Sequence, residues 1–119
     1  MKFAKINALP AFRQWDVVKV RVNPQDRDEH YVVIITPDEL IARRTRVNVL
    51  FGTSKRPADT LAPGQVLLDE ADGLERQTII DCAFFPVVPL NMITARVGTV
   101  TYERRQALLR TIAACLRGF

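Results

Sequence analysis

The run Arg46-Val47-Asn48-Val49-Leu50-Phe51-Gly52-Thr53-Ser54-Lys55 constrains the fold more than any other stretch of the chain. Five of the six residues Val47 to Gly52 are apolar or small, and two are β-branched. Such a run predicts a strand buried on both faces and placed centrally in a sheet. Its far end changes character. Thr53, Ser54, Lys55 and Arg56 set two hydroxyls and two cations at the open end of a rigid strand, an arrangement suited to a phosphodiester. The same four residues also suit a polar turn that simply closes a core strand.

The flanking patterns supply the neighbours of that strand. Val18, Val20 and Val22 alternate with Lys19 and Arg21, the period-two mark of a half-buried strand, which Asn23-Pro24 ends. Tyr31 to Ile35 is apolar on both faces and predicts a second strand. Thr36-Pro37-Asp38-Glu39 then reads as a helix start, with Thr36 as cap, Pro37 at the first position and Glu39 completing a capping box. That helix is short, to Arg43 or Arg44. Gln65 to Leu68 predicts a fourth strand, Asp72-Gly73 a turn, and Thr78 to Val88 a long fifth strand ended by Pro86 or Pro89. Val97 to Val100 reads as a last short strand. A helix from about Tyr102 to Arg117 closes the chain, with Thr101 as N-cap, Gly118 as stop, and Leu108, Leu109, Ile112, Leu116 and Phe119 at helical spacing. Residues 1–14 form a short lead without a strong period, and 15–119 the domain proper. The expected architecture is mostly β: a small, mainly antiparallel barrel or strongly bent sheet with one short inserted helix and one terminal helix.

Charge narrows the partners. With 119 residues the chain fits one domain with a single core. Its net charge of +4 is compatible with a nucleic-acid ligand or an acidic protein partner. The cations Arg43, Arg44, Arg46, Lys55 and Arg56 fall close together, whereas acids gather at Asp26, Asp28 and Glu29 and at Asp69, Glu70, Asp72 and Glu75. No apolar run approaches the roughly 20 residues of a membrane span, and the first ten residues lack the features of a secretory signal. Cys82 and Cys115 lie in apolar surroundings with no ligand-spaced partner, so they read as core residues in a reducing, cytoplasmic protein.

Six local strings, in order, resemble the MazF/PemK family of toxins from bacterial toxin–antitoxin pairs. Trp15-Asp16-Val17-Val18 is similar to the family's opening Gly-Asp-Ile/Val-Val, with Trp in place of Gly. His30 to Pro37 resembles the second strand, and Val47-Asn48-Val49-Leu50 with Thr53-Ser54 the third strand and its functional Thr. Val66-Leu67-Leu68 with Gly73-Leu74, Ile79-Ile80-Asp81-Cys82, and Val97-Gly98-Thr99-Val100 resemble the remaining segments. The resemblance implies an SH3-like barrel, as in the Kid and CcdB toxins, usually a homodimer. It implies cleavage of single-stranded RNA with no metal or other cofactor, restrained by a cognate antitoxin. That chemistry removes the 2′-hydroxyl proton, stabilises charge on the phosphate and protonates the departing 5′-oxygen.

The sequence also departs from the family. The usual strand-two Arg falls on His30, and Asp81 and Ala83 stand where Kid-type members carry Arg and Asp. Three consequences are open at this point. His30 serves as the acid or base, since imidazole ordinarily titrates near neutrality; Arg27 supplies the lost cation; or cleavage is lost and the fold is kept as a binding module for an antitoxin, a nucleic acid or, as in CcdB, a protein target such as gyrase. The catalytic candidates are therefore Thr53, His30 and Arg27, and the phosphate contacts Ser54, Lys55, Arg56 and Arg46. Each has a bland counterpart: a strand-end hydroxyl, a structural imidazole, solvated loop cations. Arg43, Arg44 and Arg46 either extend the phosphate path or meet an acidic antitoxin tail. Trp15 and Tyr31 either stack on bases or pack in the core, and Asp81 is a general base only if it faces His30 or Thr53.

Overall fold

The computed structural model describes residues 11–21, 23, 25 and 28–118. In chain order the elements are β1 (Asp16–Val20), β2 (His30–Ile34), α1 (Asp38–Ile41), β3 (Arg46–Ser54), β4 (Gln65–Leu68), β5 (Thr78–Asp81), β6 (Val87–Pro89), β7 (Ile93–Thr99) and α2 (Tyr102–Arg117). Short 3-10 turns lie at Glu70–Asp72 and Leu90–Met92.

Everything is hung on β3. One edge carries β2 through Val32↔Phe51, Val33↔Leu50 and Ile34↔Val49. The other edge carries β6 against Arg46–Asn48 and β5 against Gly52–Ser54. The full order is β4-β5-β3-β2-β1-β7, with β6 beside β3 and every pairing antiparallel. This is the expected mostly β, barrel-like architecture with a short inserted helix and a terminal helix. The strand path runs from β4 to β7 without closing, so it is a strongly bent sheet rather than a sealed barrel.

Alternation along the central strands feeds two cores. Val17, Val33, Leu50, Leu68, Ile80 and Leu108 fill one. Val18, Val20, Val32, Ile34, Val47 and Val49 fill the other. Burying each such side chain contributes about 1.5–3 kcal/mol. The alternation predicts a half-buried strand; β1, Asp16–Val20, instead buries both faces, because β2 and β7 flank it and a core covers each side, and Val22 lies outside the described residues.

Other expectations change for local reasons. The fifth strand is split. The Cys82 N–H makes one more rung with the Gly64 carbonyl at 2.8 Å, and Asp81 Oδ1 accepts from the Ala83 N–H at 2.9 Å, a turn that ends the strand before Pro86. Thr36 does not cap α1. Its hydroxyl accepts from the Asn48 N–H at 2.8 Å, and Pro37 occupies the cap position without a side-chain bond. The last strand runs over seven residues, Ile93–Thr99. α2 is capped by Thr101 as expected, but of its apolar series only Leu108 is fully buried, while Leu109 and Leu116 are exposed. Phe119 lies outside the described residues.

Two features lock the sheet's ends. Gly73 and Gly98 meet face to face: a Cβ on Gly98 would lie 2.7 Å from the Gly73 Cα, and one on Gly73 2.6 Å from the Gly98 Cα. Beside them, Arg104 Nη1 pairs with Asp69 Oδ1 at 2.5 Å and Asp72 Oδ2 at 2.6 Å, and Nη2 with Asp69 Oδ2 at 3.0 Å. Next to Gly98, where β1 pairs with β7, Asp16 accepts from the Arg13 N–H and from Arg96 Nε. Trp15, immediately before β1, has φ of +75°. The family's glycine would hold that conformation freely, whereas an L-residue pays about 1–2 kcal/mol for it. The backbone is fixed on both sides, by Trp15 N–H to the Ile34 carbonyl at 2.7 Å and Val100 N–H to the Trp15 carbonyl at 2.9 Å. The ring packs against the first core. We therefore expect Trp15→Ala to destabilise more than Trp15→Gly by about 1 kcal/mol, the reverse of the usual order. Denaturant midpoints of the two variants check this.

Candidate functional site

The β2–β3 ladder stops at Val32↔Phe51, and Gly52–Ser54 swing over to β5. Where the strands part, a cleft of about 940 Å³ opens. His30 and Tyr31 line it from β2, and Gly52, Thr53 and Ser54 from β3. Lys55 and Arg56 follow, Arg76 arrives from the turn before β5, Lys19 from β1, and Asp28 and Glu29 from the β1–β2 loop. Gly52 allows this close approach. A Cβ there would lie 2.7 Å from Thr78 Cγ2 and 3.1 Å from the Tyr31 carbonyl oxygen.

The cleft thus gathers His30, Thr53, Ser54, Lys55 and Arg56 from distant parts of the sequence. Thr53 and Ser54 are exposed, and His30 is half-buried with its ring stacked on Phe51 at 5.9 Å and 25°. Lys55 Nζ donates to the Arg56 carbonyl at 3.2 Å, and the Arg56 N–H to Asp59 Oδ2 at 2.9 Å, which shapes the loop beyond the strand. Lys19 Nζ stands 5.6 Å above the Tyr31 ring. The Glu29 carboxylate is engaged by the Thr94 hydroxyl. Among the described lining residues the cations Lys19, Lys55, Arg56 and Arg76 outnumber the acids Asp28 and Glu29, so the cleft favours anions.

Other candidates fall elsewhere. Arg46 is at the opposite end of β3 and lines a separate cavity of about 400 Å³ with Arg43, Arg44 and Asn48, so the structure does not bring it to the cleft. Asp81 and Thr53 share a smaller hollow of about 350 Å³ with Gln65 and Ile79. The Asp81 carboxylate there closes its own turn on Ala83. Arg27 lies outside the described residues. Trp15 is core-packed, whereas Tyr31 reaches both the first core and the cleft wall. Cys82 is fully buried, and burial, with Cys115 nearby, pushes its thiol up to about 12. Among the described residues no three His, Cys, Asp or Glu side chains stand together as a metal site, and no helix is long and apolar enough to cross a membrane.

Sequence reasoning missed Lys19 and Arg76. Lys19 showed only as the polar half of an alternating strand. Arg76 had no local signal at all: it enters the cleft because the Lys55 N–H binds the Gln77 carbonyl at 2.9 Å, which fixes the turn against the end of β3.

A bent antiparallel sheet carrying hydroxyls, an imidazole and several cations in one open cleft defines a small basic β-domain built to meet an anion. The sequence pattern described as PemK-like, MazF-like toxin of type II toxin–antitoxin system matches residues 13–116. The chain belongs to that family. The fold agrees. A Mycobacterium tuberculosis toxin, MazF-mt6, superposes with a TM-score of 0.71 at 18% identity, over 86% of this chain and 96% of that one. An endoribonuclease in complex with its cognate antitoxin from a mycobacterial species gives 0.75 at 14% identity, over 90% and 96%. The MazE–MazF structure from Deinococcus radiodurans gives 0.71 at 8% identity, over 92% and 98%. No protein of curated function matches by sequence.

Proposed function

We propose that the protein is a metal-independent endoribonuclease that cleaves single-stranded RNA in the His30–Thr53 cleft, as the toxin of a cytoplasmic toxin–antitoxin pair. The domain spans 15–119, and 1–14 is an extension. The observation that carries the reading is the meeting of His30 with Thr53, Ser54, Lys55 and Arg56 where β2 and β3 separate. His30 takes the proton from the ribose 2′-hydroxyl. The 2′-oxygen forms a bond to phosphorus, the P–O5′ bond breaks, and the 5′-oxygen takes a proton from solvent in this open cleft. Thr53 donates to a non-bridging oxygen, and Arg76 with Lys55 supplies the positive charge that the family places on strand two. Arg56 and Ser54 hold the neighbouring backbone. Glu29 is the weaker base, since Thr94 already engages it.

A cognate antitoxin as partner is supported by relatives solved with theirs. A homodimer is supported by the exposed Tyr102, Leu109 and Leu116 along α2. The test is incubation of antitoxin-free protein with long single-stranded RNA in the presence of a chelator. Cuts at a short recurring sequence are expected. Intact RNA with folded protein would overturn the enzymatic reading in favour of a binding module.

A further inference from the structure

Antiparallel register places His30, Phe51 and Thr53 on one face of the sheet. The His30 ring stacks on Phe51. Phe51 in turn meets Phe84 edge-on, with centroids 6.4 Å apart and planes at 61°. The aromatic row therefore leaves the cleft wall and ends on Phe84, which is 56% exposed. A single exposed phenylalanine is ordinary. This one differs in being continuous with the site. It is also held in place: its neighbours Phe85 and Pro86 accept from Asn48 Nδ2 at 3.3 Å and from the Val49 N–H at 3.0 Å, both on β3. Phe84 is thus tied to the strand that presents Thr53.

The geometry points to a nucleobase-stacking subsite formed by Phe84 with Phe51, which takes a base of single-stranded RNA flanking the phosphodiester held at His30 and Thr53. The inference rests on the ribonuclease reading of the cleft. Splayed bases of single strands stack on aromatic rings, and cations alongside hold the backbone. The described residues show that combination here, with Lys55, Arg56 and Arg76 lining the cleft into which the aromatic row leads. Stacking tolerates any base, so the subsite adds affinity without choosing the sequence.

The test uses a short RNA spanning a mapped cut, together with copies abasic at each flanking position in turn. Phe84→Ala is expected to lower kcat/KM roughly 5- to 100-fold on the intact RNA, and Phe84→Trp to restore it. One abasic position should lower the wild-type rate similarly and leave Phe84→Ala no worse. Equal rates for wild type and Phe84→Ala would overturn the subsite and leave the ribonuclease reading standing. So would a loss in Phe84→Ala that persists on every abasic RNA. Unchanged cleavage with weakened self-association or antitoxin binding would also overturn it, and make Phe84 a protein contact. If wild type cuts no RNA, the ribonuclease reading falls. Fluorescence of an RNA containing 2-aminopurine then decides the subsite: quenching by wild type but not by Phe84→Ala supports it, and equal quenching overturns it.

Discussion

Replacing His30 with alanine is expected to lower kcat/KM for single-stranded RNA by about 10²–10⁴-fold, the range for loss of a general acid–base group. The loss has two physical sources that a second variant separates. His30 both faces the cleft and stacks on Phe51. Phenylalanine at position 30 keeps the stacking and removes the nitrogens. If His30→Phe cleaves as fast as wild type, the imidazole is a packing element, and Asp28 and Glu29, the acids among the described lining residues, become the candidates to take the proton. If it is as slow as His30→Ala, the chemistry resides in the ring nitrogens. Arg76→Ala is the companion measurement. Loss of a preorganised positive donor typically costs about 10²–10³-fold, and a loss of that size would mark Arg76 as the cation that replaces the strand-two Arg.

Asp72→Ala is expected to lower stability by about 3–5 kcal/mol, read as a fall in Tm of more than about 10 °C. The Asp72 side chain is wholly buried. It accepts from the Thr101 N–H at 2.9 Å, the Asp69 N–H at 3.1 Å and Arg104 at 2.6 Å. Removing it strands the first amide of the α2 cap and one guanidinium hydrogen bond together. A change below about 1 kcal/mol, the scale of an exposed ion pair, would show that the cluster is ornamental. Acid supplies a second readout. The hydrogen bond from Arg104, and then that from the Ala71 N–H, hold the Asp69 carboxyl below its ordinary 3.8. A lowered folded-state value contributes stability that is present above the ordinary value and lost as pH falls through the folded one. The wild type should therefore lose stability below pH 3.8, and Arg104→Met should lose less over the same interval.

How much of this was legible in the sequence depended on how local each cause was. β3, β4 and α2 could be read because their periods and caps lie within their own residues. Thr53, Ser54, Lys55 and Arg56 could be placed together because they are consecutive at a strand end. The break after Asp81 was hidden, since the turn that Asp81 closes on Ala83 lies inside an apolar run that reads as one strand. Thr36 looked like a cap because its competing partner, Asn48, belongs to another strand. Arg46 sat near the other cations in sequence, yet nine residues of extended strand put it at the far end from Ser54. Arg76 and Phe84 reach the cleft region through the registers of β5 and of the β5–β6 connection, which no single window of sequence contains.

The pairing of β1 with β7 has a consequence for the making of the protein. Asp16 finds its partner in Thr99 and Val17 in Gly98. One edge of β1 is held by β2, but the other is paired by β7, a contact of long sequence separation that forms late and slowly. On a ribosome, at about 5–20 residues per second, the nascent chain spends several seconds with β1 unpaired on that side. Through that interval the cleft's components already exist while the sheet behind them is incomplete. A chain of this topology has no complete sheet behind its cleft until β7 has been made, so the site is among the last parts of the domain to be finished.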